Sequence, residues 1–436
     1  MSVEANGRGQ ARAWCGSDQH TLGRRQFMGT ALAGLGAATG AAWLSNPLGA
    51  TEVAKRGRSM VVIFLAGGIS QFESWDPKTH LDTGGPFKSI PTSVPGIHVS
   101  ELLPHTSKLM HHMALVRSLS TGVDDHGIST MMVRAGRMTR NTTDFPELGS
   151  VVAKGLERDD FPLPGHIHAS PSGGGGRTNN AAYLGPKYAS VTVGAENGVI
   201  NSVLPSGMSV SVDGQRNSWR RFVNQRFQLR RRSAETDAFT QSYEQALQLM
   251  ERREVFDISR ETAEVQDRYG RGELGRQLLL ARRLVEQEVP YVEVRHDGWD
   301  THHNNFEFHI YNVGDFDRPF AVFLQDLVDR GLLERTLVVV MTEFGRTPRI
   351  NPGYGRDHYP NAWSIALAGC GIHHGAVIGK TSDDGSEVTD RKVDHRDMFH
   401  TYLRALGIDS SGEFQIGGRS FPIADPAAAP IEELLT

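Results

Sequence analysis

The sequence predicts an α/β fold in which a central, mostly parallel β-sheet is covered by helices on both faces. A continuous apolar, β-branched run at Met60–Leu65 is joined by strong strand signals at Val289–Val294 and Thr336–Met341. Such runs suit strands buried on both faces, whereas a half-exposed strand alternates. Helical stretches separate them, the order expected of a parallel sheet. Three of the strands run directly into loops bearing acids and histidines, and open α/β sheets bind ligands at that edge.

In chain order, the first strand breaks at Gly67-Gly68, and Ser70, Gln71, Glu73 and Asp76 follow in quick succession. A Pro- and Gly-rich loop leads to a helix expected from Ser100 to Met113, opened by a Ser and an acid. Ala114–Leu119 reads as a second strand, followed by Asp124-Asp125-His126-Gly127 and a helical stretch from Ile128 to Ala135. The segment from Pro162 to Pro205 is Gly-, Ser- and Asn-rich, and short strands and loops are expected there, with Gly173 to Gly176 as a flexible insert. Trp219 to Glu288 is dense in Arg, Glu, Gln and Leu and predicts a helical region, either a cap or the outer layer of the sheet. The strand Val289–Val294 ends in "HDGWDTH", a helix is expected from Phe316 to Leu333, and Thr336–Met341 ends in "TEFGR". A last strand, Trp363–Ala368, precedes the closing helix, Met398–Leu406.

The chain has 436 residues, 39% hydrophobic and 22% charged, a composition that supports a packed core. The net charge of −4 gives no global basic field for nucleic acid. The run Arg230-Arg231-Arg232 lies in a strongly charged helical region and reads as a solvated face. At the N-terminus, Arg24-Arg25 precede an uncharged, Ala- and Gly-rich stretch from Phe27 to Ala50. Paired arginines before a weakly hydrophobic run are the signature of a Tat export signal. The expected organisation is therefore a signal over 1–50 and one domain over 51–436, with a helical insert around 219–288. The apolar run is too interrupted for a permanent membrane span, so the chain is expected in the periplasm or cell envelope. Of the 2 cysteines, Cys15 precedes the signal and Cys370 follows an apolar run. No internal disulfide is expected, and the core, with metal, must hold the fold.

The acid–histidine loops carry the chemistry. Asp300 and His302 stand two residues apart and point the same way in an extended segment. Glu343 follows a buried strand, where a carboxylate needs a metal or a partner such as Arg346. Asp357-His358 forms another pair, and Asp124-Asp125-His126 reads either as part of a site or as a helix cap. Mixed carboxylate and imidazole ligands suit Zn, Mn or Fe, while Ca and Mg prefer oxygen. Two such clusters could hold two metals about 3.5–4 Å apart. His111-His112 and His373-His374 read as surface or loop histidines.

The stretches "GGISQFESWDPK", "LVRSLSTGVDDHGISTMMVRAGR", "GWDTHHNNF", "TEFGRTPRIN", "GRDHYPNAWSIALAGCGI" and "GAVIGKTSDDGSEVTDRKV" resemble a family of Tat-exported bacterial proteins catalogued as domain of unknown function 1501. That family is similar to the alkaline phosphatase and sulfatase superfamily. The resemblance implies an alkaline-phosphatase-like sheet with metal ligands on its strand ends. Asp300, His302, Glu343, Asp357 and His358 would hold a divalent metal. His126, Ser129 or Thr130 would act as nucleophile or acid–base group, and Arg346 and Arg356 would clamp the anion. The implied activity is hydrolysis of a sulfate or phosphate ester, on a glycan or small molecule. The departures point to a rival reading, an envelope scaffold that keeps the fold without the chemistry. Gly67-Gly68 stands where sulfatases carry metal-binding acids in "LADD", and Phe344 stands where a His is expected. Ser70, Gln71 and above all Glu73 are then candidates for a replacement ligand set.

Overall fold

The computed structural model describes residues 57–436 apart from 139–143, 159–160, 172–179, 197, 200–202 and 231–233. The export signal expected over 1–50 and the insert at Gly173 to Gly176 lie outside the described residues. Strand β1, Ser59–Leu65, is buried along its whole length. It sits inside an eight-stranded sheet with β2 (Met113–Leu119), β3 (His166–Ser170), β4 (Val191–Gly194), β5 (Tyr291–His296), β6 (Thr336–Met341), β7 (Trp363–Gly369) and β8 (Val377–Ile378). The spatial order is β8-β2-β7-β6-β1-β5-β3-β4.

Strands β5 and β6 flank β1 in parallel, with Leu65 opposite His296 and Phe64 opposite Met341. Their carboxyl ends therefore lie side by side. Strand β7 runs antiparallel to both β6 and β2, with Trp363 opposite Leu119. A reversed strand presents the residues before it at the edge where parallel strands present the residues after them. The loop ahead of Trp363 thus meets the loops behind β1, β2, β5 and β6.

Eight helices are described: α1 (His126–Ala135), α2 (Leu148–Gly155), α3 (Val210–Arg230), α4 (Ala234–Glu251), α5 (Ala263–Tyr269), α6 (Glu273–Glu286), α7 (Asn305–Asp329) and α8 (His395–Ala405). Alternate residues of β1 serve opposite cores, as the two-residue period of a strand requires. Val61, Ile63 and Leu65 share a core with Leu278 and Leu280 of α6 and Phe316 and Leu324 of α7. Met60, Val62 and Phe64 share the other with Val151 of α2 and Met398 and Leu403 of α8. Both faces of the mostly parallel sheet are covered, as the apolar runs predict.

Three elements differ from expectation. The helix expected from Ser100 to Met113 is a short strand ending at Ser100 followed by a 3-10 helix, Thr106–His112. Pro104 disfavours helical backbone at the preceding residue, and Asp317 of α7 takes the backbone N–H of His105 and Thr106, each at 2.8 Å. Helix α7 begins at Asn305 rather than Phe316; several apolar residues of its first turns, Phe308, Ile310 and Tyr311, are exposed and do not trace a buried face. The region around 219–288 divides: α6 joins the outer layer of the sheet, while α3 and α4 are linked by Glu244 accepting from Arg220 and Arg221.

Candidate metal centre

The close approach of two loops founds the site. Gly67, at φ +120°, lies so near the loop behind β5 that a Cβ there would stand 2.4 Å from the backbone N of Asp300. Only glycine fits both that conformation and that spacing. Arg346, fully buried, then ties the strand ends together. Its Nε donates to Gly68 O at 2.9 Å, its Nη1 to Arg356 O at 3.0 Å and its Nη2 to Trp299 O at 3.1 Å, to Gly67 O and to Asp300 Oδ1 at 2.7 Å. Burial opposes the charge on Asp300, but the hydrogen bond from the Arg346 guanidinium outweighs it and holds the carboxyl well below the usual carboxylate range.

Three imidazoles converge on this carboxylate, and the partner of each Nδ1 fixes its state. His302 Nδ1 lies 2.8 Å from Asp357 Oδ1, His126 Nδ1 2.8 Å from Glu343 Oε1 and His358 Nδ1 2.7 Å from the backbone O of Asp124. Each of these oxygens only accepts, so each Nδ1 carries the proton, and in the neutral ring each Nε2 presents a bare lone pair. All three face Asp300: His302 and His358 Nε2 are each 3.1 Å from Oδ1, and His126 Nε2 is 3.3 Å from Oδ2. The Nε2 atoms of His302 and His358 are 3.0 Å apart, while His126 Nε2 is buried with no hydrogen-bond partner.

Acceptors facing acceptors need either imidazolium protons or a cation between them. Three carboxylates, Asp300, Glu343 and Asp357, surround the rings, and that negative field favours positive charge among the Nε2 atoms, as a proton or as a metal ion. The donor set fits a metal. His126, Asp300 and His358 offer ligand atoms all within 4.8 Å of one another. His302 Nε2 adds a fourth donor beside this group, 3.0 Å from His358 Nε2 and 3.1 Å from Asp300 Oδ1. Each imidazole also donates its other nitrogen to a carboxylate or carbonyl, the usual outer support of a histidine ligand.

Several expectations are corrected here. The Asp300–His302 and Asp357–His358 pairs form one cluster rather than two. Glu343 and Asp357 act one layer out, orienting His126 and His302, and the hydrogen bond from His302 draws the Asp357 carboxyl below its ordinary range. Glu73 stands outside the His126–Asp300–His358 group: buried beside Arg356, its Oε1 accepts from that guanidinium at 2.8 and 3.2 Å. Gln71 forms a two-way bridge with the backbone of Arg346, at 2.8 and 2.9 Å, and Ser70 Oγ accepts from Phe72 N. Neither arginine is free to clamp an anion, since Arg356 also donates to the backbone oxygens of Thr83, Thr347 and Pro348. Ser129 is buried and donates to Val123 O at 2.8 Å. Neither it nor half-buried Thr130 hydrogen-bonds to the cluster. Phe344 packs its ring against His126 and His358, with centroids 4.9 and 4.4 Å away, and fills the flank where a further His was expected. The outer roles of Gly67 N–H, which donates to Glu343 Oε1 at 2.9 Å, and of Asp124 O are backbone roles without a side-chain signal.

A family model described as protein of unknown function, DUF1501, matches residues 57–435. The chain belongs to the DUF1501 family. The match spans every strand and loop of the DUF1501 site described above. No curated protein matches the sequence. Among solved structures, the chain is similar to the lipoteichoic acid synthase LtaP from Listeria monocytogenes, at 8% identity and a TM-score of 0.38, covering 85% of this chain and 76% of that one. It is similar to the alkaline phosphatase of the Antarctic bacterium TAB5, at 12% identity and a TM-score of 0.34, covering 80% and 98%. It is also similar to the PsFucS1 sulfatase from Pseudoalteromonas sp., at 12% identity and a TM-score of 0.34, covering 82% and 71%.

Proposed function

We propose that this DUF1501 chain is an exported, metal-dependent hydrolase of phosphate or sulfate esters, with a single metal centre. The observation that carries the reading is the convergence of three imidazole Nε2 atoms on Asp300, each ring held at Nδ1 by an acceptor. Its ester class rests on the motif resemblance to the alkaline phosphatase and sulfatase superfamily, and its export on the paired arginines of the N-terminus. His126, His302, His358 and Asp300 would hold the ion, which supplies a Lewis acid that polarises an ester oxygen and acidifies water. His302 and Asp300 are half-exposed, which leaves the cluster open to a substrate from one side. With the Ser129 hydroxyl held by Val123, water rather than a side-chain hydroxyl is the attacking group.

One observation favours a second reading, a metal-holding envelope protein without turnover: both arginines available for an oxyanion are engaged by the fold. The test is metal analysis and calorimetric titration of chelator-treated protein with Zn and Mn, followed by assay on aryl phosphates and aryl sulfates. One equivalent bound with ester turnover is expected, and His126→Ala or His302→Ala lowers metal affinity at least tenfold. Metal without turnover assigns the second reading, and no stoichiometric metal sinks both.

A further inference from the structure

Helix α3 is amphipathic in the reverse sense. Its protein-facing positions, Asp213, Asn217, Arg220 and Asn224, are half-buried and polar, at the four- and three-residue spacing of one helix face. They are fixed by polar bonds: Arg220 to Glu244 Oε1 at 2.6 Å, Asn224 to Thr240 Oγ1 at 3.0 Å and Asn217 to Asp213 Oδ2 at 2.9 Å. The apolar side chains point to water instead. Val212, Trp219, Phe222, Val223, Phe227 and Leu229 are between 45% and 83% exposed, the densest such patch among the described residues. Apolar faces of this kind on a soluble surface mark an interaction site.

The charges identify the occupant. Helix α3 carries five arginines against one acid, in a chain whose net charge is −4. Arg216 and Arg226 interleave with the exposed apolar residues on the helix surface and have no carboxylate partner among the described residues. Arg226 leans over the Phe222 ring at 5.5 Å. If α3 paired with α3 of a second copy about a two-fold axis, these arginines would be pressed against their own equivalents. An anionic lipid surface relieves them, since guanidinium groups meet headgroups while Trp and Phe enter the acyl boundary. With five arginines the helix cannot span a bilayer, and no described helix is long and apolar enough to do so. Its length of about 30 Å suits lying in the plane of the interface.

We infer that α3 docks the protein on an anionic phospholipid surface. The test is co-sedimentation of the full chain with phosphatidylcholine vesicles with and without phosphatidylglycerol. Binding is expected to the anionic vesicles and to fall with added salt. The double variants Trp219→Ser with Phe227→Ser, and Arg216→Glu with Arg226→Glu, should each lower partitioning at least tenfold. Their melting temperatures should stay at the parent value, because all four side chains are exposed. The inference is overturned if both variants bind as tightly as the parent, or if no binding occurs. It is equally overturned if the lipid-free protein forms a dimer that the Trp219 variant abolishes, which would assign the face to a second copy.

Discussion

Asp357 and Glu343 hold imidazoles rather than an ion, and their worth is to be measured through those imidazoles. Asp357 is largely exposed, so Asp357→Ala removes the orienting partner of His302 with little effect on the fold. Its expected result is a metal affinity lower by about 10–100-fold, read by calorimetric titration, with the apo protein melting unchanged. An unchanged affinity would show that His302 needs no such support. Glu73 and Arg356, by contrast, belong to stability. Both side chains are fully buried at 2.8 Å, and burial opposes the Glu73 charge while the Arg356 guanidinium holds its carboxyl below the ordinary value. Glu73→Ala leaves a buried guanidinium uncompensated and should cost about 3–5 kcal/mol in urea unfolding; a cost under about 1 kcal/mol would refute the pairing as structural. The residue types of the site were legible because acids and histidines at strand ends are unusual company. Which acid meets the three Nε2 atoms was not, because that depends on the side-chain partners of each Nδ1 and on backbone atoms that any residue could supply.

Elements explain why loops far apart in the chain coincide. The antiparallel course of β7 brings Asp357 and His358, which precede it, to the edge reached by His126, Asp300 and Glu343, which follow their strands. Sequence periodicity located β7 but carried no direction, so the pairs on either side of it read as two sites. Elements also set the acid limit of stability. His166 on β3 and His309 on α7 are buried, and burial pushes both rings below the ordinary imidazole value of 6.5. His309 is fixed neutral, with Nδ1 toward Asn305 O at 2.8 Å and Nε2 accepting from Ser70 N. Below pH 6.5 the unfolded rings take protons that the folded rings refuse, so stability falls as pH drops through that value. The depressed carboxyls of Glu73 and Glu293 lose their contribution only below their ordinary value of 4.5. The interval from 6.5 to 4.5 therefore belongs to the histidines. In the presence of chelator, the melting temperature should decline steadily from pH 7.5 to pH 5; a flat profile would contradict neutral burial of these rings.

At the scale of the molecule, the sheet and its two cores were foreshadowed by the runs at Met60–Leu65 and Thr336–Met341, whose unbroken apolar character admits no solvent face. The extent of α7 and the 3-10 segment after Pro104 were not, because Asp317 caps a segment some two hundred residues away and no local pattern announces it. The architecture also separates two surfaces by charge: an acidic cluster at the strand edge and a basic, apolar helix α3.

The glycine pair after β1 carries a consequence for how this lineage can change. A Cβ at Gly67 would meet the backbone of Asp300, and one at Gly68 would fall 2.8 Å from the Phe344 ring. Position 67 is closed to every side chain while the β5 loop stays where it is. Position 68 is closed twice over, by the Phe344 ring and by a φ of +89° that side chains rarely adopt, so a smaller residue at 344 relieves the clash but not the backbone strain. A carboxylate side chain therefore cannot enter this strand end by a single substitution.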